Sequence, residues 1–481
     1  LALVLAGCAK PATETPATGV DEAIGRVTAG LRPGIVIKDS PPAKFRLADR
    51  LAHHRVPGVS IAVVDSGRLA WARGFGLKEA GTADSVTATT LFQAASISKP
   101  VAATVMLRLV DEGKLALDSA VNGYLRSWKL PDNKFTLRAP VTLRRIVSHN
   151  AGLTIHGFPG YATGASVPTL VQILDGVKPA NTGPVRVDTF PGAISRYSGG
   201  GTTLMQLVLT EVTGEPFASL AKRLVLDPIG MTNSTYEQPL PAALRGREAA
   251  AHEANGSVTP GRWHTYPEQA PAGLWTTPTD LVEWAMEIAA AREGKSTKVI
   301  SKATATEMLI AQKAPFGLGP SLEGSGRGFR FGHGGSNQGF RCQLVYFPET
   351  GQGAAVMTNG EQGDRLVTEI LLALAAEYHW PDYGGPKTIT PLAVDSTVAE
   401  QFVGDYHTPT PFPVTITVKR TGAKLFVEAT VGGGGLSPEE VVFTDSTRVT
   451  GLESGIDFSF GKGRTGRIDR LEIGGIKLAR K

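Results

Sequence analysis

Ser96-Ile97-Ser98-Lys99 places a hydroxyl and an amine three residues apart at the head of an apolar segment. Across residues 101–110, Val101, Ala102, Val105, Met106, Leu109 and Val110 recur with the helical period, which predicts a helix with one apolar stripe. Positions i and i+3 share a helix face, so the Lys99 amine can reach the Ser96 oxygen. The Ser96 N–H stands at the positive end of that helix, where developing oxyanion charge is stabilised. A lysine desolvated in such packing loses part of its preference for the charged form and accepts a proton near neutral pH. The pair is a candidate nucleophile and base. Ser219-Leu220-Ala221-Lys222 and Ser459-Phe460-Gly461-Lys462 repeat the spacing, one inside a helical pattern and one in a strand-like alternation. Neither opens a buried helix, so the bland reading, a serine beside a solvated lysine, holds for both.

Two further segments give the first one its context. Arg196-Tyr197-Ser198-Gly199-Gly200-Gly201 sets a tyrosine on a glycine-rich loop before a helical pattern at 202–213. Phe331-Gly332-His333-Gly334-Gly335-Ser336 precedes a strand-like run at 340–347. Taken singly, Tyr197 reads as a packing residue and His333 as a loop histidine. In this order and spacing the three segments resemble the motifs of the penicillin-binding protein and serine β-lactamase superfamily. The closer resemblance is to its branches outside penicillin recognition: family VIII carboxylesterases, D-aminopeptidases and β-lactamase-related serine hydrolases. Ser148-His149-Asn150-Ala151-Gly152-Leu153, Leu226-Asp227-Pro228-Ile229-Gly230-Met231 and Ala272-Gly273-Leu274-Trp275-Thr276-Thr277-Pro278 extend it over about residues 43–382. No Gly-x-Ser-x-Gly occurs, against an α/β-hydrolase nucleophile elbow.

The resemblance implies roles residue by residue. Ser96 would be acylated, Lys99 would hold or take its proton, and Tyr197 would relay a proton towards the leaving group. Starting near pKa 10, that phenol would need a cation such as Lys99 to act as a base. His333 would stand where β-lactamases carry the lysine of their third motif. The backbone N–H groups of Ser96 and Ser336 would form the oxyanion hole, with Gly334 and Gly335 letting a substrate approach the strand edge. Two departures bear on substrate. Gly199 replaces the asparagine usual in the second motif, and His333, mostly neutral above about pH 7, removes a fixed positive charge. Both weigh against carboxylate-bearing β-lactams. The expected activity is therefore hydrolysis of small esters or amides through an acyl-Ser96 intermediate, with at most weak β-lactamase activity. The alternatives are a D-aminopeptidase, a β-lactamase, or a non-catalytic binder of cell-wall fragments on the same fold.

The resemblance also implies an α+β fold, with an antiparallel sheet built from both chain ends beside a helical subdomain. Residues 59–64 and 69–74 read as a hairpin, and strands return at 340–347 and 353–358. The hydrolase domain is expected over 43–383. After Gly384-Gly385-Pro386, a linker signal, short alternating strands over 391–481 predict a small antiparallel barrel, resembling lipocalin-like appendages of some relatives. At the other end, residues 1–8 close on Leu5-Ala6-Gly7-Cys8, similar to a lipobox with a lipidated Cys8, and residues 9–42 read as a flexible tether. These features predict a periplasmic lipoprotein anchored in the outer membrane, touching the membrane only through its lipid. Cys342 would then be a free buried thiol. With 481 residues and 42% apolar content a large core is affordable, and a net charge of +5 without a long basic run excludes a nucleic-acid partner. His53, His54, His149, His156, His252, His264, His379 and His407 show no metal-site spacing, so neither metal nor other cofactor is expected. The substrate partner is a small ester, amide or peptide, and no pattern reports on oligomeric state.

Overall fold

A computed structural model describes residues 18–481 apart from 42, 409–413, 423 and 432–433. Its centre is a six-stranded antiparallel sheet in the order 68–76, 58–65, 352–358, 340–347, 330–337, 321–323. Strand Gly58–Asp65 is buried almost throughout because helices cover both faces. Val59, Ile61 and Val63 face one core; Ala62 and Val64 face the other. That two-sided burial explains a near-continuous apolar run where an exposed antiparallel strand would alternate. The hairpin and the returning strands lie where the sequence places them.

The larger core holds the helical subdomain and the helix Ser98–Asp111. That helix is not the one-striped element expected. Ser98 to Leu107 are all buried, so it runs through the centre of the domain with solvent excluded around its first three turns. The two decoy motifs separate cleanly. Ser219 sits in the helix Phe217–Ala221, and the exposed Lys222 pairs with Asp227. Ser459 lies in barrel strand Asp457–Lys462.

The tether expectation is corrected from residue 18 onward. Thr18–Thr28 is a helix, and Ile24, Val27 and Leu31 are buried against helix Gly363–Glu377 in the second core. Arg26 adds a two-pronged pair with Glu377. Ile24 and Val27 share one helix face, diluted in sequence by the polar Thr/Pro run before it, and Leu31 follows the helix end in a bridge to Phe45. Cys8 and residues 9–17 lie outside the described residues. The expected linker is also partly structured: Lys387–Ile389 pairs in parallel with Ile35–Ile37.

Beyond it, eight antiparallel strands close into a barrel over 404–480, with Gly404–Thr408 pairing Ile476–Arg480 to seal the seam. Its own core includes Phe402, Tyr406, Phe443 and Phe460. Among the described residues no helix is long and apolar enough to cross a membrane. A docked N-terminal helix makes a direct demand on stability. Ile24→Ala, at a buried side chain of that helix, is expected to cost about 2–4 kcal/mol in urea unfolding; a loss below about 0.5 kcal/mol would restore the tether.

Candidate active site

The turn carrying Ser96 is held before any chemistry is considered. Ala95 adopts a left-handed φ of 49°, sparsely populated for a residue with a side chain. Its neighbours fix it: Ala94 N–H donates to the Leu274 carbonyl at 2.8 Å, and Leu274 N–H donates to Ser98 Oγ at 3.0 Å. The Tyr236 hydroxyl donates to the Ser98 carbonyl at 2.6 Å, and Asn337 Nδ2 donates to Gln93 Oε1 at 2.8 Å. A short 3-10 turn, Ala95–Ile97, then leads into helix Ser98–Asp111. Ser96 is half-buried while Ile97, Ser98 and Lys99 are buried, so the hydroxyl alone of this group faces the opening.

Lys99 Nζ lies 2.9 Å from Ser96 Oγ and donates to the Pro271 carbonyl at 2.8 Å. Burial lowers its pKa from 10.5 to about 7, and among the described residues no carboxylate stands close enough to hold the charge. Near neutrality a large share of the amines is therefore unprotonated, with a lone pair towards the serine hydroxyl.

Tyr197 is fixed by the helix start that follows it. Ser198 Oγ accepts from Gly201 N–H at 3.0 Å and donates to the Thr154 carbonyl at 2.7 Å. Ser198 N–H donates to His149 Nδ1 at 3.2 Å. The phenol ring lies among His149 (centroids 4.2 Å), His156 (4.8 Å) and Phe316 (6.0 Å), with Lys99 Nζ 4.9 Å from its centre. Its hydroxyl is buried near Ser96 without a hydrogen bond of good geometry. Burial raises its pKa above the ordinary 10, and the approach to Ser96 only partly opposes this. Tyr197 therefore stays a phenol, a donor rather than the base that a neighbouring cation would make of it.

His333 faces the same space, 5.8 Å from Tyr197 between ring centroids. Burial first, then the Lys99 charge, lowers its pKa to about 4, so it is neutral across the physiological range. Nδ1 lies 2.6 Å from the Gly334 carbonyl, which only accepts, so Nδ1 carries the proton. Nε2 is then an acceptor, buried and unpartnered. Gly335 has a plain reason: a Cβ there would run into the Ala94 carbonyl and Cys342 Sγ. Strand Ser321–Glu323 pairs only with Arg330–Gly332, which leaves the edge at His333–Asn337 uncovered by it, and Ser336 is exposed there. Cys342 is a free buried thiol.

The fold thus brings Ser96, Lys99, Tyr197 and His333 together, and adds residues that single motifs do not reveal. His149 lies in a quoted sequence phrase; His156 and Phe316 carry no local signal. Gly199 also acquires an explanation. A Cβ at that position would stand 3.0 Å from the Phe158 ring and 3.1 Å from the His156 carbonyl, so loop 156–158 fills the space an asparagine side chain would use. Gly199→Asn is expected to destabilise by about 1–3 kcal/mol through overpacking and to leave nitrocefin turnover no higher than in the parent; a gain in nitrocefin kcat/KM with unchanged melting would contradict this.

Residues 46–377 match the family model described as Beta-lactamase. Penicillin-binding protein 4 of Amycolatopsis lactamdurans is 28% identical over 67% of this chain and 86% of its own length. Esterase EstB of Burkholderia gladioli is 27% identical over 58% and 76%, and the D-aminopeptidase of Brucella anthropi 23% over 67% and 60%. Among solved structures, the octameric penicillin-binding protein homologue from Pyrococcus abyssi aligns with a TM-score of 0.60 at 19% identity, covering 90% of this chain and 98% of that one. With its sheet, its helical subdomain and more than half its length matched, the chain belongs to the Beta-lactamase family.

Proposed function

We propose that this protein is a serine hydrolase that cleaves small esters, and more slowly amides, through an acyl-Ser96 intermediate. The observation that carries the reading is the 2.9 Å contact between Ser96 Oγ and an amine lowered to about 7 by burial. Neutral Lys99 takes the Ser96 proton as Oγ bonds to the substrate carbonyl carbon. The oxyanion gathers on the Ser96 and Ser336 N–H groups. Tyr197 gives its hydroxyl proton to the departing alkoxide or amine and regains one from Lys99. Water then repeats the sequence on the acyl group and releases the acid. His333 Nε2 accepts a hydrogen bond from a substrate N–H or from that water.

The ranking of substrates follows from charge. Around Ser96 stand a lysine that is partly neutral near pH 7, a neutral histidine and a phenol. None supplies a permanent cation for a substrate carboxylate, so neutral esters come first, D-amino-acyl amides or peptides second, and β-lactams last. The named esterase and D-aminopeptidase relatives support the first two classes.

Ser96→Ala is expected to reduce p-nitrophenyl acetate hydrolysis by about ten-thousand-fold with melting unchanged, and a fluorophosphonate probe should leave its mass adduct on Ser96. Full activity in the variant would remove the assignment. No adduct with any electrophile would favour the non-catalytic binder. In the same panel, nitrocefin kcat/KM should stay below that of the esters; a value on the order of 10⁶ M⁻¹s⁻¹ would overturn the ranking.

The pH profile has a definite sign. Because Lys99 must lose its proton to act, kcat/KM should rise with pH through about 7 and then level off. His333 adds no inflection between pH 5.5 and 8.5, since it titrates near 4. A profile flat across that range would exclude Lys99 as the base.

A further inference from the structure

Remote from Ser96, the junction of the hydrolase domain and the barrel collects side chains that the hydrolytic reading does not use. His53 ends helix Leu47–His53, His54 caps it, and Glu453 comes from the barrel turn after strand Arg448–Gly451. One ligand atom from each of the three lies within 4.8 Å of the others. We propose that His53, His54 and Glu453 form a binding site for a zinc-like transition-metal ion that ties the barrel to the hydrolase domain.

The surroundings organise the three as ligands. Glu453 Oε2 is held by Arg365 Nη1 at 2.5 Å, which leaves Oε1 directed at His53 Nε2, 2.6 Å away. His54 is buried, and its Nε2 faces the Glu369 carboxylate at 3.1 Å with Arg50 Nη2 equally near. Arg50 Nη2 already donates to Glu369 Oε1 at 2.5 Å, so His54 Nε2 gives its own proton to that carboxylate and Nδ1 is the lone-pair nitrogen, the usual arrangement behind metal-bound histidine. Three carboxylates, Glu369, Glu439 and Glu453, meet two guanidinium groups, Arg50 and Arg365, so these five side chains keep one negative charge for a cation. Two nitrogens and one oxygen suit zinc, with water in the fourth position. Ligands on a tetrahedral ion stand about 3.3 Å apart, so the His53–Glu453 contact of 2.6 Å must open by about 0.7 Å. His53 is 48% exposed and free to turn.

The test uses untagged full chain, stripped with chelator and titrated with Co²⁺ and Zn²⁺. One Co²⁺ per chain should bind with a visible d–d band, displaced by Zn²⁺, and Zn²⁺ should raise the melting temperature. His53→Gln, at a half-exposed position that leaves the Arg365–Glu453 pair intact, should weaken binding at least tenfold and abolish the band and the thermal shift. Glu453→Gln should do the same, whereas His379→Gln, at an exposed histidine elsewhere, should change nothing. Absence of saturable binding, or equal affinity in His53→Gln and the parent, overturns the site. Ester hydrolysis reads separately on Ser96, so failure here leaves the proposed reaction standing.

Discussion

A buried amine with no counter-ion is the constraint around which the hydrolase domain is arranged. Lowering Lys99 from 10.5 to about 7 corresponds to about 5 kcal/mol taken from folding below about pH 7, where both states hold the proton. Between about pH 7 and 10.5 the unfolded state binds more protons than the folded one, so stability rises with pH across that window. The compensation is packing. Among the described residues, helix Ser98–Asp111 is sealed by the largest apolar cluster, and Lys99 finds a carbonyl and a hydroxyl but no carboxylate. A single acid at contact distance would stabilise the ammonium and silence the base.

The second arrangement follows from the first. With a reactive amine fixed in place, the serine must be presented at one geometry, and the left-handed Ala95 does this by kinking the chain immediately ahead of Ser96. Backbone strain of about 1–3 kcal/mol persists only where the surroundings over-determine it, and here ties from Leu274, Tyr236 and Asn337 converge on Gln93, Ala94 and Ser98. Tyr197 is treated alike, stacked among rings and pinned by the Ser198 cap. Three neutral imidazoles and a phenol beside one amine make an interior that is polar yet almost uncharged. Such a site stabilises charge as it develops in a reaction better than charge that a substrate brings with it.

Much of this was legible in the sequence where chemistry is local. Ser96-x-x-Lys99 within an apolar run, Tyr197 before a helix and His333 before a strand identify the family, and the paired strands read correctly because alternation or apolar runs are local signals. Three things were not legible. The helix Thr18–Thr28 owes its docking to a partner helix more than 330 residues away. The C-terminal barrel itself was legible, but three of its strands, Gly404–Thr408, Arg448–Gly451 and Ile476–Arg480, are four or five residues long, too short to show a period. Spacing also hid the His53–His54–Glu453 group, because one member arrives from a different domain. The Tyr197 proton state is not legible for a related reason: burial, a property of the whole fold, raises its pKa despite the neighbouring Lys99.

The sheet also dictates a timetable for making this protein. Its inner strand Gly58–Asp65 hydrogen-bonds on one side to Gln352–Thr358, and Ile35–Ile37 pairs with Lys387–Ile389. A ribosome must therefore add some three hundred residues after the first hairpin before that hairpin gains its second neighbour. Throughout that interval an apolar strand edge stays open, the condition in which nascent chains stick to one another. The cell must either keep the emerging polypeptide in the custody of chaperones until most of it has been translated, or defer folding altogether until synthesis is complete.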